Sequence, residues 1–443
     1  FEMKTKQTKT SALSRRGFLT SAAASGSGAA MLAGMNSKAA AQSSEPVVVG
    51  GPLPLTGAAA ADGIEFRRGL EMAADEINAM GGILGRPVQL AFGDTESQGD
   101  DVISSAGRRL VDRENAAVLI SGYNFGSNSA LPQVAADALI PYLHADTVIA
   151  HEALVQSEPE TFWGSWMYDP SEAMYGIGYL DFLRNLEETG QFTPPNRKIA
   201  IITGPIAYSI NIAQAIRDRA ADYGYEVSLY ETVQAPISEW GPTLAKIRAD
   251  EPGMIAMTHL FTQDQAQFML QFMENPTNSL IYMQYGASLA AFREITGEAS
   301  EGVLYATVIG ALQDEIGTIF AEGYRERFGE TASPNAGGQT YSALYAYAIA
   351  ASLAGGAGEP YGEMQNRAIV DRLQDLIFRS PMGTIRFNPQ TQSAYSYPSQ
   401  TNDPSLGLPH IFSQIKVSTE DGVIIAPIPY DKAPFELPRW MKG

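Results

Sequence analysis

From Pro46 onward, short runs of β-branched and apolar residues alternate with longer stretches in which apolar side chains recur at spacings of three and four. A short apolar run bounded by turn residues marks a buried strand, and the 3.6-residue period marks a helix with one apolar face. The alternation therefore predicts parallel sheets covered by helices. Val47-Val48-Val49 opens the first strand, after which Phe66, Leu70, Ala73 and Ile77 share one helical face that ends at Gly81-Gly82. Further strands are expected at 88–92, 116–121 and 141–144, with helices at 101–114 and 127–137. A loop-rich passage carrying Trp163 and Trp166 follows, then a helix at 171–188.

After Pro194-Pro195-Asn196 the rhythm restarts with a buried-strand run at 198–203. The next helix places Ile212, Ile216, Ala220 and Tyr223 on one face and stops at Gly224, a residue suited to a left-handed cap. Strands at 226–230, 254–258 and 280–285 alternate with helices at 242–249 and 264–273, which amounts to a second βα set with its own sheet. Beyond 302–308 the chain is mainly helical to Arg379, then strand-like at 383–387, 410–417 and 423–428. Late helices after two sheet systems imply that the chain returns to the first lobe before crossing again, and several crossings make a hinge.

Composition adds location. Ser14-Arg15-Arg16-Gly17-Phe18-Leu19 is a twin-arginine export signal, followed by a weakly apolar Ala/Ser/Gly stretch too short to span a bilayer. Ala39-Ala40-Ala41 offers the small residues of a cleavage site, so residues 1–41 are read as a signal peptide and the mature chain as starting near Gln42. Leu32-Ala33-Gly34 resembles the start of a lipoprotein box, but Met35 stands where the lipid-bearing Cys would be, and there is no Cys anywhere. The expectation is a periplasmic, non-lipidated chain without disulfides. Processing would remove six basic residues and one acid, moving the net charge from −19 to −24. Such a surface repels nucleic acid and anionic lipid and favours solubility.

Motifs that would carry chemistry are missing. Gly176-Ile177-Gly178 has no preceding strand and no third glycine, so it is not a dinucleotide site. His144, His151, His259 and His410 show no metal-ligand spacing. The mature chain has no Gly-x-Ser-x-Gly elbow and no phosphate loop. Neither an enzyme, a cofactor nor a metal is expected, and Asp94 and Glu96 are read as solvated or hinge-capping carboxylates.

Three further stretches carry a resemblance. Gly51-Pro52-Leu53-Pro54-Leu55-Thr56-Gly57 forms a strand-to-helix loop, the run from Ala74 to Val88 reads ADEINAMGGILGRPV, and Gly93-Asp94-Thr95 follows in order. Together with the loop at 122–129, the segment 198–208, and the C-terminal stretches 385–392 and 412–415, they resemble the periplasmic type I solute-binding proteins of ABC transporters. The resemblance is to the branched-chain amino acid and amide/urea branches, the C-terminal stretches being closer to the latter, and it covers nearly the whole mature chain. It implies an α/β fold of two Rossmann-like lobes with parallel central sheets joined by a multi-crossing hinge. The expected boundaries are 46–167 plus 307–382 for lobe I and 168–306 plus 383–443 for lobe II.

In open parallel sheets, ligands sit beyond the carboxyl ends of the strands. The resemblance then assigns Leu55, Thr56, Tyr123, Asn124, Phe125, Gly126, Ala145, Asp146 and Thr147 to the site from lobe I, and Tyr208, His259, Phe261 and Tyr285 from lobe II. Where the amino acid binders present small hydroxyl residues and a Glu, this chain has Tyr123-Asn124-Phe125-Gly126-Ser127-Asn128 and Tyr285. Tyr123, Phe125, Tyr208, Phe261 and Tyr285, with Trp166, would stack on a ring, enclose a planar amide or, with Asp146, hold a cation. The implied function is capture of a small polar or aromatic molecule for an ABC transporter permease. A ligand-sensing receptor module and an exported amidase-like hydrolase are the alternatives.

Overall fold

The computed structural model describes residues 45–441, apart from 58, 97–98, 125–127, 417 and 420–421. The export signal and its cleavage site lie outside the described residues. In chain order the first part comprises β1 (Val47–Leu53), α1 (Ala60–Ala79), β2 (Val88–Asp94), α2 (Asp100–Asp112), β3 (Val118–Ile120), α3 (Ala130–Ala138), β4 (Tyr142–His144), α4 (Ile149–Ser157) and β5 (Ser165–Met167). The second comprises α5 (Ala173–Glu188), β6 (Lys198–Thr203), α6 (Ala207–Arg219), β7 (Glu226–Thr232), α7 (Gly241–Asp250), β8 (Met254–Met257), α8 (Thr262–Glu274), β9 (Leu280–Met283), α9 (Ala290–Thr296) and β10 (Leu304–Thr307). Then come α10 (Glu315–Phe328), α11 (Pro334–Leu353), α12 (Glu363–Gln374), β11 (Ile377–Ser380), β12 (Gly383–Asn388), β13 (Ser393–Ala394), β14 (Ser396–Tyr397), β15 (Leu408–Pro409), β16 (Ile411–Gln414) and β17 (Val423–Ala426).

Two sheets organise these elements. The first runs β11-β12-β13-β5-β4-β3-β1-β2 and the second β17-β16-β10-β9-β8-β6-β7. Strands β1 to β5 pair in parallel, as do β6 to β10, while β12 with β11 and β13, and β16 with β10 and β17, pair antiparallel. A small parallel pair, β14 with β15, lies between the last strand of the first sheet and β16. The chain thus passes between lobes after β5, after β10 and after β13.

The expected second boundary at residue 383 is displaced. Strand β12 pairs with β13, and β13 lies parallel to β5 through Ser393 and Met167, so 383–394 complete the first sheet and the return to lobe II comes later. The passage read as loop around Trp163 and Trp166 holds α4 and β5. Trp166 is a core residue, its indole N–H donating to the Trp163 carbonyl at 3.0 Å and its ring set edge-on against Phe387.

The predicted helical faces are the buried ones. Phe66, Leu70 and Ala73 are 0% exposed and Ile77 is 4% exposed, in the core that β1 and β3 share with α11. Each large apolar side chain so removed from water contributes about 1.5–3 kcal/mol. Ser333 caps α11 by accepting from the Ala336 N–H, with Pro334 at the first helical position, and Asp314 accepts from Gly317 N–H at 2.9 Å to start α10. In lobe II, Ile212, Ile216 and Ala220 are buried, and Gly224 adopts φ +74° to turn the chain into β7.

Candidate functional site

Every assigned residue that the structure describes lies just beyond the carboxyl end of a parallel strand: Leu55 and Thr56 after β1, Tyr123 and Asn124 after β3, Ala145 to Thr147 after β4, Tyr208 after β6, His259 and Phe261 after β8, and Tyr285 after β9. Phe125 and Gly126 lie outside the described residues.

The lobe I loops are pinned by their own carboxylates. Asp94, at the end of β2, accepts from Leu55 N–H at 2.9 Å, Thr56 N–H at 3.2 Å, the Thr56 hydroxyl at 2.7 Å and Glu96 N–H at 2.8 Å. Burial alone would raise its pKa, but the Thr56 hydroxyl and the backbone donors hold it below the usual carboxylate range. Asp94 is thereby the organiser of the β1–α1 loop. Asp146, a candidate cation holder, is engaged in the same manner: His144 Nδ1 lies 2.9 Å from its Oδ2 and Asn124 N–H donates to its Oδ1 at 2.8 Å. His144 stacks on Tyr142 and lies 2.9 Å from His151 Nδ1, a buried cluster under the β4 loop. Thr147 takes φ +51° and donates its hydroxyl to Asp169, while Ala145 is buried in the core.

A carboxylate absent from the sequence assignment enters here. Asp62, in the first turn of α1, accepts the Tyr123 hydroxyl, and Tyr123 stands edge-on to Phe66 with ring centroids 5.0 Å apart. Burial, and then the Asp62 charge, push the Tyr123 phenol far above its ordinary value, which fixes it as a neutral donor. Tyr285, on lobe II, takes φ +58° and is 42% exposed. Its phenol is raised by burial and then by the same Asp62 charge.

The other lobe II residues divide. Phe261 is 39% exposed at the start of α8. Tyr208 is half-buried, accepts from Gln284 Nε2 at 3.0 Å and lies 6.1 Å from the Tyr175 ring. His259 turns inward instead: it is 0% exposed, its Nε2 meets Asp264 Oδ2 at 2.8 Å, and burial lowers its pKa.

Where the lobes join, Glu172 ties them directly. It accepts from the Ile149 N–H at the start of α4 at 2.5 Å and from Asn211 Nδ2 on α6 at 2.7 Å. Burial raises its carboxyl pKa, and more strongly that of Asp169, which is fully buried. Tyr175, on α5, is buried, and its hydroxyl accepts from the Val308 N–H at the second crossing at 3.3 Å. Among the described residues, no group of three His, Asp or Glu is placed to hold a metal ion, and no helix is long and apolar enough to cross a membrane.

Comparison with known proteins gives a consistent picture. A family model described as periplasmic binding protein matches residues 46–397. A solved structure from Silicibacter pomeroyi, assigned to a branched-chain amino acid ABC transporter, is 61% identical, covers 90% of this chain and 100% of its own, and superposes with a TM-score of 0.88. Leu/Ile/Val-binding protein homolog 7 of Brucella melitensis is 38% identical over 27% of this chain, and the match spans only 28% of that relative's length. A solute-binding protein of an ABC transporter from R. palustris, solved with benzoate, is 17% identical over 88% of this chain and 99% of its own, with a TM-score of 0.61; it shares the fold.

Proposed function

Because the chain belongs to the periplasmic binding protein family, we propose that it captures a small polar or aromatic molecule between its lobes and delivers it to an ABC transporter permease, performing no chemistry on it. The observation carrying this reading is the placement of the hydrogen-bonded Asp62 and Tyr123 beyond the strand ends of one parallel sheet and of the exposed Tyr285 beyond those of the other, with the Asp62 charge acting on the Tyr285 phenol. Ligand bridging the lobes favours the closed state by its differential affinity, and the closed state is what a permease recognises. The names of the relatives, which include branched-chain amino acid transport and Leu/Ile/Val binding, support a solute-binding role.

Small-angle scattering of the exported chain, titrated with amino acids, amides, aromatic acids and amines, tests it. A reduced radius of gyration with one ligand class is expected; an unchanged radius with all of them excludes capture by closure. We further infer export by the twin-arginine route, supported by Arg15-Arg16 ahead of the Ala/Ser/Gly stretch. Replacing both arginines by lysine should leave the protein in the cytoplasm on fractionation.

A further inference from the structure

Among the described residues of the lobe I loops, four donors are engaged by carboxylates of the protein itself. Leu55 N–H, Thr56 N–H and the Thr56 hydroxyl all serve Asp94, and Asn124 N–H serves Asp146. Asp146 itself lies 2.9 Å from His144 Nδ1 and accepts from Asn124 N–H, so this candidate cation holder is engaged within its own loop. Asp62 is in a different situation. It has the neutral Tyr123 hydroxyl as a donor, and among the described residues no Lys or Arg pairs with it. The nearest basic residues along α1, Arg67 and Arg68, are turned to Glu71 at 2.8 Å and Glu65 at 2.6 Å.

The opposite lobe offers exposed apolar and aromatic side chains at its strand ends, and the Asp62 charge acts on one of them, the Tyr285 phenol. Tyr285, Phe261, Ile206 and Leu289 stand 42%, 39%, 39% and 39% exposed, and all four follow carboxyl ends of lobe II strands. A ring face attracts a cation through its quadrupole, and apolar side chains match alkyl groups. When the lobes close, a carboxylate removed from water without a counter-charge is costly, and a ligand carrying that charge removes the cost.

We propose that the cleft takes an organic ammonium ion with an apolar body and no carboxylate, its charge set against Asp62 and its alkyl groups against Tyr123, Tyr285 and Phe261. This rests on the capture reading above. A zwitterionic amino acid would bring a carboxylate to loops where the Leu55, Thr56 and Asn124 donors already serve Asp94 and Asp146, and an aromatic acid would bring its carboxylate against Asp62.

Isothermal titration calorimetry and small-angle scattering with tetramethylammonium, n-butylammonium, isoleucine, benzoate and acetamide test the proposal. Binding and compaction with the ammonium probes are expected, with affinity falling about tenfold or more in Asp62→Asn while its unliganded melting temperature holds. Tyr285→Ala, exposed on the opposite lobe, should lose about fivefold for the same probes and carries the test if Asp62→Asn does not fold. Tighter binding of isoleucine, benzoate or acetamide than of either ammonium, or undiminished ammonium affinity in both variants, overturns the cation assignment and leaves capture standing. No heat and no compaction with any probe overturns both.

Discussion

Tyr123 joins an aromatic contact and a charged one in a single side chain, since its ring abuts Phe66 while its hydroxyl serves Asp62. Tyr123→Phe keeps the first and deletes the second. The variant should melt within a few degrees of the parent, as removal of one hydrogen bond to a charged group costs about 1.5–3 kcal/mol, yet bind ligand markedly more weakly in calorimetry. Equal affinity would show that the hydroxyl does not set the Asp62 carboxylate. Buried titratable groups predict opposite pH limbs. His410 is fully buried among Tyr175 and Phe412, and burial holds its pKa down to about 3. The unfolded chain takes up that proton near 6.5, so stability is full above this and drains as the pH falls toward 3, at about 1.4 kcal/mol per unit. Asp169 works the other way: its raised carboxyl keeps its proton while the unfolded chain releases it above about 3.9, so its contribution is full at low pH and drains as the pH rises. Melting temperatures across pH 4–8 should therefore show a flatter acid limb in His410→Asn and a flatter alkaline limb in Asp169→Asn. The strand-end placement of aromatics was legible in sequence, as at Tyr123 and Tyr285. Asp62 was not, because it is embedded in the period of α1 and its partner is 61 residues away. The inward turn of His259 was equally hidden, since it depends on Asp264 one helical turn further on.

Among the elements, α1 and α11 pack at a distance only glycine permits. A Cβ on Gly69 would lie 2.0 Å from the Gly337 carbonyl oxygen, and Thr340 closes the same crossing by donating its hydroxyl to Phe66 O at 2.6 Å. Glu76 adds a second tie, accepting the Tyr341 and Tyr345 hydroxyls at 2.6 Å each. Gly69→Ala should thus cost about 1–3 kcal/mol or more in urea denaturation. Gly323→Ala, in the interior of α10 where the nearest atom is Met72 Cε at 3.6 Å, should gain about 0.5–1 kcal/mol from helix propensity. If both variants shift the midpoint alike, the close crossing does not govern stability. The long elements were readable because their period is sustained over several turns, and β6 matched residue for residue. Strand β5 offers only Ser165, Trp166 and Met167, too few to establish a period, and β12 and β13 choose their sheet through partners such as Met167, far away in sequence. Which lobe they join is a tertiary decision that no local pattern encodes.

For the molecule as a whole, charge is the long-range property. A net charge of −19 over the full sequence, −24 without residues 1–41, accompanies an Asp62 that no Lys or Arg pairs with among the described residues, so a cationic ligand is drawn in and an anionic one repelled. Stopped-flow association of n-butylammonium should slow as ionic strength rises from about 0.01 to 0.15 M, where screening shortens from about 30 to 8 Å, with the dissociation rate nearly constant. A salt-independent association rate would show that the field does not steer ligand. The three passages between lobes have a second consequence, which concerns how the protein is made. Translation delivers β1 to β5 first, yet β13, the neighbour that covers β5, follows only at Ser393, and β16, the neighbour of β10, only at Ile411. Proteins usually complete their N-terminal domain on the ribosome; here both sheets lack a neighbouring strand until Ser393 and Ile411 have been synthesised, so each is finished only late in translation.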